Sequence, residues 1–261
     1  MLFRLPRLFA ASADLDFVRT VKLVIGFIGT RYEGWQSQKK GKTLQEIFER
    51  NLTQILKEKI SIVSSSRTDS GVHAHGLVAH FKTQSRLPDP KIKRALNFYL
   101  PKDVLVYSAR TVDKTFHARF QAKSKVYFYN IWTGPTRPLF EAPYVLWHPQ
   151  ALDVRLMRRA ARFLKGRHDF CAFQDRGDDR KNTRRMVKRI VVKKKKELIR
   201  IEIEADGFLR HMVRIVAGTL IEAGRKKMRP NSVLKILKSK DRGNAGPTAK
   251  ALGLILAKVR Y

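Results

Sequence analysis

The sequence predicts an α+β protein built from two similar halves, and three observations carry that prediction. Short segments with period-two alternation, such as "VKLVIGFIG" at 21–29 and "LIRIEIEA" at 198–205, are interleaved with amphipathic helical segments. Several neighbouring strand-like segments are joined by connections too short for a crossover helix, so they are expected to pair antiparallel. The interleaving runs through the whole chain of 261 residues, so each half is expected to carry an antiparallel-rich mixed sheet flanked by helices. The expected division is an N-terminal extension over 1–19, one α+β domain over 20–115 and a second over 116–261, the two meeting at a basic cleft.

In "VKLVIGFIG", Val21, Leu23, Ile25 and Phe27 share one face, which reads as a strand. "TRYEGWQSQKKGK" is a loop with two aromatics, Tyr32 and Trp35. "TLQEIFERNLTQILKE" is a helix. Thr43 and Glu46 have capping-box spacing, and Leu44, Ile47, Phe48, Leu52, Ile55 and Leu56 line one side. "KISIVS" and "LVAHF" are strand-like and flank "SSSRTDSGVHAHG" at 64–76. That stretch contains one bulky apolar side chain, Val72, too few for an amphipathic helix or a half-buried strand. It reads as a tight polar loop.

"DPKIKRALNFYL" is helical and "VLVYSARTV" is a strand. "DKTFHARFQAKSK" is a polar, basic crossing between the halves. "VYFYNIW" is a strand, "TGPTRPLFEAP" a Pro/Gly loop and "LDVRLMRRAARFLKG" a helix. His168 and Asp169 read as a capping turn. "DRGDDRKNTRRM" is a charged loop. "VKRIVV" and "LIRIEIEA", joined by "KKKKE", form a hairpin with a solvated lysine tip. "FLRHMVRIVAGTLIEAG" and "NSVLKILKS" are helices, and "ALGLILAKVRY" closes the chain as a strand.

Charge narrows the choice of partner. There are 55 Lys+Arg against 22 Asp+Glu, a net charge of +33. Such self-repulsion does nothing for the folded state, but it creates a field that captures polyanions. Nucleic acid is favoured, because neutralising phosphates releases condensed counterions. An anionic membrane surface is the rival, and no run of about 18 apolar residues exists to span a bilayer. Cys171 is the only cysteine, which excludes an intramolecular disulfide and a zinc site of several cysteines and fits a cytoplasmic protein. Arg4, Pro6 and Arg7 interrupt any apolar core of a targeting peptide, so 1–19 is expected to be a frayed, disordered extension.

The loop at 64–76 allows four chemistries. His73, His75 and Asp69 have spacing that permits a metal, but no H-E-x-x-H pattern or further strong ligand accompanies them. Ser70 lacks the G-x-S-x-G elbow of a serine nucleophile. Asp69 and Arg67 could simply pair within a turn. Asp69 could instead act as a nucleophile or acid–base group in an RNA-binding cleft, kept charged by a neighbouring arginine. By pattern alone, Tyr127 is an ordinary half-buried strand aromatic. Arg214 lies in an apolar helix, where Arg210, His211, Arg214 and Gly218 make one stripe that could face the Asp69 loop.

"SRTDSGVHAHGLVAHF" resembles the signature of the TruA family of tRNA pseudouridine synthases, G-R-T-D-A-G-V-H-A. Four further segments resemble that family in the same order: "TFHARFQAKSKVYFYNI", "GRHDFCAF", "GFLRHMVRIVAGTLIEAG" and "TAKALGLILAKVRY". Together they cover nearly the whole chain from Val21 to Tyr261. Ser66 stands where the signature has glycine and Ser70 where it has alanine; both are small, so the loop is expected to close. Leu77 stands where glutamine is common.

The resemblance implies the pseudouridine synthase fold and a reaction, the conversion of uridine to pseudouridine in the anticodon stem-loop of tRNA at positions 38 to 40. It implies Asp69 as the catalytic nucleophile. It further implies that Tyr127 packs on the uracil, that Arg214 pairs with Asp69 and holds it ionised, and that Arg67 helps extrude the nucleotide or fills its place. No redox change occurs, so no cofactor and no metal are expected. The expected partners are tRNA and a second copy of the chain as a homodimer, with no membrane. The alternatives are a non-catalytic tRNA-binding module or RNA chaperone, and a protein recruited to DNA or membranes by charge alone.

Overall fold

The computed structural model describes residues 17–38, 41–178 and 181–261. The extension expected over 1–19 lies outside the described residues up to residue 16, and the first strand already begins at Arg19. That strand, β1 (Arg19–Phe27), buries Val21, Leu23, Ile25 and Phe27, the face its alternation predicts. The first half continues with α1 (Leu44–Leu56), β2 (Ile62–Ser64), β3 (His73–Thr83), α2 (Asp89–Tyr99) and β4 (Val104–Val112). The second half comprises β5 (Ser124–Trp132), β6 (Leu146–Trp147), α3 (Val154–Arg162), β7 (Gly166–Asp169), β8 (Arg184–Lys195), β9 (Leu198–Ala205), α4 (Met212–Gly224), α5 (Ser232–Ser239) and β10 (Leu254–Arg260).

The strands of both halves join in one mixed sheet, ordered β4-β1-β3-β10-β5-β9-β8-β7, with β2 also on β3 and β6 also on β5. Pairing is antiparallel except for β10 with β3 and β6 with β5. The ladder at the seam between the halves is short: β10 pairs in register with β3 at Ile255 with His73 and Leu256 with Ala74. The last strand of the chain therefore sits mid-sheet, where it buries Leu254, Ile255, Leu256 and Val259. Helices α1 and α2 pack on each other beside β4, and α3 packs on α4 and β8.

Four local expectations need correction. The capping box of α1 does not close: the Thr43 side chain makes no cap bond, and Glu46 accepts from the Ser37 hydroxyl at 2.7 Å. A cap is superfluous there, because the first free amides of the helix, Leu44 and Gln45, donate to the carbonyls of Gly34 and Trp35 (3.1 and 2.9 Å). The polar loop ends sooner than expected, since His73 to Gly76 belong to β3. β1 and β10 give that stretch partners which no local pattern announces. His168 and Asp169 form strand β7, paired with Arg185 and Arg184 of β8. Helix α4 starts only at Met212, after His211 takes a left-handed backbone at φ 57°.

Candidate active site

The segment 65–72 connects β2 to β3 and is pinned by backbone bonds. Trp35 donates to the Thr68 carbonyl (3.1 Å), Gly71 to the Tyr32 carbonyl (3.3 Å), and Val72 to the Asp69 carbonyl (3.2 Å). Gly34 lies against this turn at φ +90°, and a Cβ there would stand 2.4 Å from the Thr68 oxygen, so only glycine lets the two backbones approach. Ser70 donates its hydroxyl to the Tyr32 carbonyl at 3.3 Å. The serines at 66 and 70 are thus accommodated in a closed loop, as their size predicts.

Asp69 projects from this turn with its side chain 28% exposed. Two cationic or titratable groups converge on one of its oxygens. Arg214 Nη1 and His211 Nε2 each lie 3.4 Å from Asp69 Oδ2. Arg214 is held from behind, since its Nε donates to the Ala249 carbonyl at 2.8 Å. His211 is held by Asp175, whose Oδ2 is 3.2 Å from Nδ1. Asp175 is fixed in turn by Arg210 Nε (3.3 Å) and by its own amide donating to the Arg210 carbonyl (3.2 Å).

Tyr127 is buried on β5, edge-on to Phe208 with ring centroids 5.1 Å apart. Burial pushes its hydroxyl up to about 12, a hydrogen bond with Ser66 opposes the rise, and the charge of Asp69 adds to it. The phenol therefore stays protonated at neutral pH. Arg67 is exposed. Arg67, Asp69, Tyr127 and Arg214 all line one open cavity of about 1250 Å³, together with Arg119, Lys125 and Arg210.

All four residues singled out from the sequence thus meet around one space. Of the stripe expected from helical spacing, Arg210, His211 and Arg214 line the cavity that holds Asp69, and Gly218 does not. His211 and Arg214 reach Asp69, but Arg210 reaches Asp175, and Gly218 packs against the backbone of Pro247, where a Cβ would meet its oxygen at 1.8 Å. Arg210 and His211 precede the helix, so helical spacing does not apply to them. Asp175 escaped the sequence reading. It stood in a charged segment, "DRGDDRKNTRRM", part of which (179–180) lies outside the described residues.

His73 and His75 do not join the cavity wall. His73 is buried, its Nδ1 accepts from the Gly29 amide (3.0 Å), and its Nε2 faces the Leu252 carbonyl (3.1 Å). Burial holds its protonation below the usual histidine range. Both ring nitrogens are committed to the backbone, which leaves no lone pair for a metal.

Comparison with known proteins decides the family. A model described as tRNA pseudouridine synthase matches residues 23–121 and 160–261. The chain belongs to the tRNA pseudouridine synthase family. Members of this family are isomerases. The tRNA pseudouridine synthase A of a Thermoanaerobacter species (strain X514) is 42% identical over 248 residues, covering 94% of this chain and 100% of that protein. The tRNA pseudouridine synthase A 2 of Clostridium perfringens is 41% identical, with coverage of 94% and 100%. The tRNA pseudouridine synthase A of Geobacillus kaustophilus is 40% identical, with coverage of 92% and 94%. The ten-stranded, mostly antiparallel sheet with its helices fits the pseudouridine synthase family. No helix among the described residues is long and apolar enough to cross a membrane.

Proposed function

We propose that this chain isomerises uridine to pseudouridine in the anticodon stem-loop of tRNA, at positions 38 to 40, with Asp69 as the nucleophile. The observation that carries this reading is the placement of the Asp69 carboxylate. It lies on the wall of a cavity, opposite the Arg214 guanidinium and beside the buried ring of Tyr127.

The chemistry asks for such an arrangement. The N1–C1′ bond breaks, a C5–C1′ bond forms, the proton on C5 leaves and N1 gains one. A carboxylate that adds covalently divides this into easier steps. The nucleotide must first leave its stack, because a stacked uridine hides its reactive atoms. Exposed Arg67, at the cavity edge, fills the space it vacates. The Tyr127 ring packs on the extruded uracil, and Arg214 supplies the charge opposite Asp69. His211, bridging Asp69 and Asp175, fixes the carboxylate from its second neighbour. None of these steps calls for a metal or a cofactor. The family resemblance supports a homodimer acting on tRNA in the cytoplasm, and the net charge of +33 supports a polyanionic substrate.

The test is release of tritium from tRNA carrying uridine labelled at C5, followed by mapping of pseudouridine in the product. Stoichiometric release with pseudouridine at 38 to 40 is expected. Binding without release would make the chain a non-catalytic tRNA-binding module or RNA chaperone, and pseudouridine elsewhere would overturn the anticodon assignment.

A further inference from the structure

The connection between β4 and β5 carries a feature that the proposed chemistry does not use. His117 Nδ1 accepts from the amides of Arg119 and Phe120, both at 3.2 Å. His80 Nδ1 accepts from the Ala118 amide at 3.2 Å, and the Tyr261 hydroxyl donates to the Ala118 carbonyl at 2.6 Å. A short turn is thus fixed by three side chains, one from strand β3 and one from the residue that follows β10. What it presents is an apolar ring: Phe120 is 75% exposed.

That ring ends a row. Tyr261 and Phe116 are 5.1 Å apart between centroids, Phe116 and His80 5.8 Å, His80 and His117 4.9 Å, and His117 and Phe120 4.3 Å with planes 28° apart. Phe120 stands at its open end. The Arg119 guanidinium lies over the Phe120 ring, 5.5 Å from its centroid, and Arg119 also lines the cavity that holds Asp69. An exposed aromatic held rigidly beside a cation, on a polycationic protein, matches the pairing that binds single-stranded nucleic acid. The ring takes the face of a base and the cation takes the phosphate.

We propose that Phe120 is a stacking platform for a nucleobase of the RNA substrate, one that flanks the reacting uridine at the cavity mouth. This inference rests on tRNA being the substrate. The ring contributes little to the fold, because most of its surface is already in water. The turn is already ordered, so a base that stacks there does not have to order it on binding. Any base offers a π-face, so the platform fixes where the strand runs rather than which sequence it has.

The experiment compares wild type, Phe120→Ala and Phe120→Trp, as full chains, in binding to an unmodified tRNA transcript at several salt concentrations. Phe120→Ala should weaken binding on the order of 10-fold, with an unchanged slope of log affinity against log salt and an unchanged melting temperature. Phe120→Trp should restore affinity, and its added emission should be quenched by tRNA. Unchanged affinity in Phe120→Ala overturns the platform. So does a loss of affinity accompanied by a smaller sedimenting species, which would assign the ring to contact with a second copy of the chain. Tritium release by wild type separates this inference from the functional reading. An active wild type with an indifferent Phe120→Ala sinks only the platform, whereas a wild type that neither binds nor turns over tRNA sinks both.

Discussion

Replacing Asp69 by asparagine separates chemistry from architecture, and the structure sets the size of each effect. The side chain is 28% exposed, and its two neighbours, the Arg214 guanidinium and the His211 ring, lie at 3.4 Å, longer than the roughly 2.7–2.9 Å of a tight charge-assisted hydrogen bond. Each is a screened pair worth no more than about 1 kcal/mol. Loss of both therefore costs at most ~2 kcal/mol, and a chain of this size should melt no more than roughly 8 °C lower. The backbone bonds that shape the turn are untouched, and the amide has nearly the carboxylate's volume. Affinity for tRNA should hold or rise slightly, because one negative charge leaves the cavity wall. The chemical step should fall on the order of 10⁴-fold or more, as when the nucleophile of other covalent catalysts is removed. The assay is single-turnover pseudouridine formation under saturating enzyme, paired with a melting curve. If Asp69→Asn stays folded and keeps more than about 1% of the wild-type rate, Asp69 is not the nucleophile and the mechanism fails with it.

Three further outcomes are expected. Arg214→Met should slow the chemical step at least ~100-fold while weakening tRNA binding only a few-fold, since one contact among many phosphate contacts is a small share of affinity; equal losses in both would reduce Arg214 to a phosphate ligand. It should also cost roughly 1.5–3 kcal/mol in denaturant unfolding, because the Ala249 carbonyl loses its charged donor. Gly34→Ala should destabilise the chain by roughly 1–3 kcal/mol and lower kcat, because a Cβ 2.4 Å from the Thr68 oxygen displaces the residue before Asp69; a silent substitution would show that the turn position is irrelevant. Affinity for tRNA should fall linearly in log–log form with rising salt and a slope of several units, and a nearly flat plot would remove phosphate contacts from the account.

Much of this protein is legible in its sequence, because local periodicity governs whatever packs against one face. β1, α1 and β9 bury the residues their spacing marks, Val21 to Phe27, Leu44 to Leu56, and Ile199, Ile201 and Ile203. The turn at Asp69 is also legible, since a run of small polar residues with one glycine cannot build a helix or a covered strand. The ordered motifs carry the family without a fold. Other features were decided by contacts that no local window contains. His73 to Gly76 are strand because β1 and, from the far end of the chain, β10 lie alongside. Thr43 needs no cap because the Gly34–Trp35 backbone takes the free amides of α1. His211 reaches Asp69 and Asp175 only because the chain turns left-handed before α4, a conformation that helical spacing conceals. Arg214 and Asp69 are 145 residues apart, and they meet because the sheet carries strands of both halves and sets α4 beside the β2–β3 turn. Sequence determined which groups were available for chemistry. Only the tertiary structure determined which of them face one another, because a charge pair depends on distance in space and the chain records only distance along itself.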